Sequence, residues 1–176
     1  MARPVKRVTL ASYGSHLDSW YFAFEMANEV PNFLVGAGIP VALRGFLNRI
    51  RPFPELTSAL HVQLGNNDSF VAWANTSWAC SGVPMALELT LCEQSSSYRR
   101  AHMTQGSLRG SLSQVAWNGD GSYYLRGQQG CQWHFESSIT REAWTMLWPR
   151  KTSTPDFDDL SELVVSEITF HSMNIV

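Results

Sequence analysis

The 176-residue sequence predicts a mainly β protein, built from antiparallel hairpins in three degenerate repeats of about 50 residues. Three observations carry that reading. Short alternating apolar runs rich in aromatic and β-branched residues are separated by Gly/Asn/Asp turns. A serine followed by aromatics recurs at Ser19, Ser69 and Ser122, at intervals of 50 and 53 positions. Behind the first two of these serines comes a Gly-Ile-Pro or Gly-Val-Pro step that opens an amphipathic stretch.

The units fall at about 8–50, 56–92 and 108–148. The first runs from Val8 to Phe24, with Gly14-Ser-His-Leu-Asp18 as its turn and Gly38-Ile-Pro-Val-Ala-Leu43 behind it. The second runs from Val62 to Trp73 around Gly65-Asn-Asn-Asp68, followed by Gly82-Val-Pro-Met-Ala-Leu87. The third runs from Val115 to Leu125 around Asn118-Gly-Asp-Gly121, residues that tolerate the positive φ of primed hairpin turns. Ser138-Ile-Thr-Arg-Glu-Ala143 follows it. A lead-in also recurs, at Leu56-Thr-Ser-Ala-Leu-His-Val62, Leu112-Ser-Gln-Val115 and Leu160-Ser-Glu-Leu-Val-Val165.

Alternation predicts further strands at Met85, Leu87, Leu89 and Leu91, at Cys131, Trp133 and Phe135, and over a closing segment at 160–176. Leu43, Phe46, Leu47 and Ile50 are spaced as one face of a helix, and Ile139, Ala143, Trp144 and Leu147 repeat the pattern. Glu93 to Arg100 and Trp148 to Asp159 read as exposed loops. The whole is expected to be one domain, 1–176, whose repeat period suggests β-trefoil- or propeller-like closure. The alternative is a single antiparallel barrel or curled sheet from His61 onward, with short N-terminal helices over one end. If the repeats are real, the three serines hold equivalent hairpin positions and Leu43, Leu87 and Ala143 come together.

Composition narrows the function. With 44% hydrophobic and 16% charged residues the chain has ample material for a core. A net charge of -2 and a pI near 6.2 provide no basic field, so neither nucleic acid nor a membrane surface is expected as a partner. The cationic start, Met1 to Arg7, leads into no apolar run, and no stretch of about 18 apolar residues occurs, so a soluble cytoplasmic protein is expected. Cys80, Cys92 and Cys131 are odd in number and lack zinc-site spacing, so they read as thiols. No nucleophile elbow, phosphate loop, dinucleotide fingerprint or zincin motif occurs, and no cofactor or metal is expected. Ser15 and His16 are adjacent, which on a strand sends them to opposite faces and spoils Ser–His activation.

The candidate acid–base pair is His134 and Glu136, two apart and hence on one face of a strand. Alternation also permits a plainer reading, in which Trp133 and Phe135 are buried and the two polar groups face water. Asp68 and Asp120 hold like turn positions and are candidate ligand contacts, although turn aspartates commonly bond their own backbone. Seven tryptophans are more than such a core needs, and Trp78, Trp73 and Met85 are candidate lining for an aromatic pocket, with Trp78 the most exposed. The leading expectation is a small-molecule-binding β domain, of the cofactor-free isomerase or cyclase kind. The alternatives are a glycan-binding, lectin-like module with one shallow site per repeat, and a protein-interaction module. Oligomeric state is not legible in these residues.

Overall fold

The computed structural model describes residues 18–26, 29–95, 104–128 and 130–147, and the backbone of 5–10. The element order is β1 (Val5–Leu10), β2 (Trp20–Glu25), β3 (Pro31–Val35), α1 (Val41–Ile50), α2 (Pro54–Ser58), β4 (Leu60–Leu64), β5 (Phe70–Ala74), β6 (Ser77–Ser81), α3 (Met85–Glu93), β7 (Gln105–Ser107), β8 (Leu112–Trp117), β9 (Tyr123–Gly127), β10 (Gly130–His134) and α4 (Ser138–Leu147). The strands form three separate antiparallel sheets, ordered β1-β2-β3, β4-β5-β6-β7 and β8-β9-β10, with no closed barrel among the described residues. The predicted closing segment at 160–176 lies outside them, as does most of the Gly14–Asp18 turn.

Each sheet holds a three-strand meander followed by a helix, and the three serines sit at the same place in each. Ser19, Ser69 and Ser122 are buried and immediately precede the middle strand, β2, β5 or β9. In the first and third units the serine hydroxyl ties the start of that strand to the entry of the helix. Ser19 Oγ donates to the Gly38 carbonyl at 2.8 Å, just ahead of α1, and Ser122 Oγ accepts the Glu136 N–H at 3.0 Å, just ahead of α4. In the second unit the link is steric. Gly82, with φ +65°, lies so close to Ser69 that an added methyl would be 3.2 Å from its Cα.

Alternation along the middle strand sends its residues to opposite cores. Phe70, Ala72 and Ala74 join Leu43, Phe46, Leu47 and Ile50 of α1, with Tyr21, Ala23 and Phe33 of the first sheet, in one apolar cluster. Val71 and Trp73 join Trp78, Cys80, Leu87 and Leu91, together with Val115, Tyr123 and Leu125 of the third sheet, in a second. The central sheet is therefore covered on both faces, which is why all of β5 is buried and reads as a continuous apolar run. Each wholly buried Leu or Phe contributes about 1.5–3 kcal/mol, so these two clusters hold the units together.

Three expectations about elements are corrected. Met85, Leu87, Leu89 and Leu91 lie in a helix, not a strand. Pro84 at the N-cap fixes the entry, and Leu87 and Leu91, one turn apart, are buried while Met85 and Leu89 are exposed. In β10, Trp133 is exposed although Phe135 beyond it is buried, and both rings pack against Trp144 of α4. Ala143 is exposed and is not the counterpart of Leu43 and Leu87. Counting from the residue whose carbonyl accepts the first helical bond, Pro40, Pro84 or Ser137, the buried counterparts are Leu47, Leu91 and Trp144.

Candidate functional site

His134 ends β10 and pairs with Tyr123 at the start of β9, so the two rings share a face and stack at 6.3 Å. Glu136 is held two residues on by the bond from its N–H to Ser122, and its Oε1 lies 2.9 Å from His134 Nε2. The predicted pair therefore exists, exposed at the rim of the third unit. Both groups being solvated, the contact adds little to stability, and its interest is that an imidazole and a carboxylate in hydrogen-bond contact can exchange a proton with a bound molecule. The Asn118–Gly121 turn adjoins it, since a methyl on Gly121 would lie 3.6 Å from Glu136 Cγ. Asp120 in that turn is committed to the backbone, its Oδ1 accepting the Ser122 N–H at 2.7 Å.

The other predicted residues do not gather there. Trp78 is fully buried, which corrects the expectation that its ring is exposed, and among the described residues its indole nitrogen has no hydrogen-bond partner. It faces inward because it pairs with Trp73 across β5 and β6, on the face that carries the second core. Trp73 is buried too. Its ring stacks on His61 at 4.9 Å and its Nε1 donates to the Leu112 carbonyl at 2.9 Å, which joins the second unit to the third. Met85 is exposed at the start of α3. Asp68 is exposed in the left-handed region, φ 60°, directly before Ser69. The residue directly before Ser122 is Gly121, also at positive φ, so Asp68 corresponds to Gly121 and not to Asp120. Ser81 and Val83 stand where His134 and Glu136 stand, so the pair belongs to the third unit and is not repeated in the second.

Two apolar faces escaped the sequence reading. On the first sheet, Phe22 pairs with Leu34 and Trp20 packs on Phe22 at 4.9 Å between ring centres. This is the face that in the central sheet carries Phe70, Ala72 and Ala79, all buried in the first core. Leu34 is 56% exposed, where its counterpart Ala79 is 4% exposed. At the other end, Ile139, Ala143 and Met146 of α4 are spaced along one helix face, all exposed, Ile139 at 78% and Met146 at 82%. The signal that finds both is the serine register itself, which assigns each strand and helix position a counterpart in another unit.

Among the described residues no helix is long and apolar enough to cross a membrane, and no three His, Cys, Asp or Glu side chains gather into a metal-binding group. Comparison with protein-family models, with curated proteins and with solved structures finds no match.

Proposed function

We propose that the chain is a protein-interaction module, an array of meander-and-helix units stacked blade on blade, whose two end faces bind other protein surface. The observation that carries this is the contrast between Trp20 and Phe22, which are only half-buried, and their counterparts in the other two sheets, Phe70 with Ala72 and Tyr123 with Leu125, which are all buried. An apolar surface that the same unit buries elsewhere in the chain is shaped for contact with protein. Burial of Trp73 and Trp78 takes away two of the side chains that would have lined an aromatic pocket. The test is the stability of Leu34→Glu and Met146→Glu. Open binding faces predict changes within about 0.5 kcal/mol in each, and a loss of about 2 kcal/mol or more at Leu34, on the order of a core truncation, would mean that the face belongs to the interior.

A second reading rests on the His134–Glu136 contact. A small molecule seated against Tyr123 would find an acid–base pair at its edge, as a cofactor-free isomerase or cyclase requires. A metabolite library screened by ligand-observed NMR tests it. Hits that disappear with the double variant His134→Ala, Glu136→Ala favour the reading, and hits unchanged by it defeat it. The glycan-binding reading asks for an equivalent acid in each repeat, and Asp68 and Asp120 are not equivalent.

A further inference from the structure

The two junctions among the described residues follow one pattern, and the outer faces of the first sheet and of α4 carry the two halves of a third. At the first junction α1 packs against β5 and β6 of the next sheet, and Phe46, six positions after Pro40, shares a core with Phe70, the residue after Ser69. At the second, Thr90 stands six positions after Pro84 and Tyr123 directly after Ser122, and Thr90 Oγ1 meets Tyr123 OH at 2.7 Å. The position six residues into the helix thus shares a core, or a hydrogen bond, with the residue after the serine of the following unit.

At the ends these positions are Ala143, six after Ser137, and Trp20, directly after Ser19. Thr140 and Ala143 of α4 are exposed, although their counterparts Leu43 and Phe46 in α1 and Leu87 and Thr90 in α3 are all buried. On the first sheet, Trp20 and Phe22 are half-buried where Phe70 with Ala72 and Tyr123 with Leu125 are buried, and Leu34 beside them is exposed, as is Gln132 of the third sheet. The sizes complement each other, since a large indole is offered to an alanine.

We propose, on the reading of the end faces as protein-binding surfaces, that the partner is a second copy of this chain. The α4 of one copy docks on the β1-β2-β3 sheet of the next, with Ala143 set against Trp20 and Ile139 and Met146 flanking Phe22 and Leu34. The two surfaces differ, so the contact is head-to-tail and leaves one helix face and one sheet face open for further copies or for closure into a ring.

Sedimentation velocity over a concentration series tests it, with Leu34→Glu and Ala143→Glu as variants. The intact chain is expected to associate reversibly beyond a dimer or into a closed ring. Each variant alone is expected to be monomeric, its dissociation constant raised at least tenfold. An equimolar mixture is expected to form a 1:1 dimer that grows no further, because Ala143→Glu keeps its sheet face and Leu34→Glu keeps its helix face. Variants that still associate alone, or a mixture that stays monomeric while the intact chain associates, would overturn the head-to-tail contact. If the intact chain is monomeric, the second copy is ruled out as partner, and hydroxyl-radical footprinting then separates the two claims. Rapid labelling of Trp20 and Met146 leaves the faces as open surfaces for a different protein. Protection equal to that of Trp78 removes the interaction reading as well.

Discussion

Ser122 Oγ accepts the backbone N–H of Glu136 at 3.0 Å, across the space between the start of β9 and the entry to α4. Ser122→Ala removes this bond from the part-buried Glu136 amide, at a cost of about 0.5–1.5 kcal/mol. Ser19→Ala orphans the Gly38 carbonyl in the same way and is expected to cost a similar amount. In the second unit the group that loses its partner on Ser69→Ala is the Trp117 indole N–H, which donates to Ser69 Oγ at 3.2 Å. Urea unfolding with an unchanged m-value measures all three. Three near-neutral substitutions would show that the serines precede β2, β5 and β9 without holding them in place.

Two glycines are expected to answer alanine with opposite signs. Gly82 has φ +65°, a region costly to an L side chain, and its added methyl would press on Ser69 at 3.2 Å. Gly82→Ala is therefore destabilising by at least about 1–2 kcal/mol. Gly45 lies inside α1 with nothing near its missing Cβ, so Gly45→Ala stabilises by about 0.4–1 kcal/mol. Thermal unfolding of the two variants beside the parent reads the difference.

Much of this was legible in the sequence, and the failures share a cause. The serine register places β2, β5 and β9, and the i, i+3, i+4, i+7 spacing places α1, all four of whose predicted residues are buried. The third strand of a unit is harder. β3 opens on Pro31, and β6 carries Trp78 between Ser77 and the small residues Ala79 and Cys80, so neither shows a clean period of two. The central sheet is buried on both faces, which erases alternation, and the polar Asn75-Thr76 turn between β5 and β6 makes Trp78 read as a loop tryptophan. In α3, leucines at alternate positions imitate a strand, and only Pro84 and the burial of Leu87 with Leu91 show the helix. His134 and Glu136 do meet, but Glu136 lies beyond the end of β10 and is brought to His134 by its N–H bond to Ser122 and not by strand spacing alone. The end faces were not legible, because exposure of an apolar residue is decided by what lies over it.

Burial pushes the Cys80 thiol up to about 12, from an ordinary value near 9, and the nearby Glu88 and Cys92 add to the shift. The folded state thus holds Cys80 protonated where the unfolded chain releases the proton. The stabilisation is complete below pH 9 and is lost as the pH rises from about 9 toward 12. Stability is expected to fall with pH across that window, and Cys80→Ala to reduce the slope while lowering the plateau at neutral pH by the loss of packing. Tyr124 is also raised, first by burial and then by its bond to Cys131, so the variant keeps part of the alkaline decline. An identical slope in parent and variant from about pH 9 to 11 would show that Cys80 titrates normally.

The junction between the second and third units offers the last prediction. Thr90 Oγ1 and Tyr123 OH are each other's buried partner at 2.7 Å, at the edge of the second core. Removing one hydroxyl leaves the other desolvated, so Thr90→Val and Tyr123→Phe should each cost about 1–3 kcal/mol. Removing both leaves neither hydroxyl unsatisfied and makes the junction apolar, like the first core that holds Phe46 and Phe70. The double variant is therefore expected to be more stable than the sum of the single changes implies, by about 0.5–3 kcal/mol of coupling. Both replacements keep the shape of the side chain, and Tyr123→Phe keeps the ring against His134, so loss of packing does not account for the expected pattern. Chemical denaturation of the four proteins completes the cycle. Additive losses would place the two hydroxyls in separate hydrogen bonds, and the equivalence of the two junctions would then rest on their apolar residues alone.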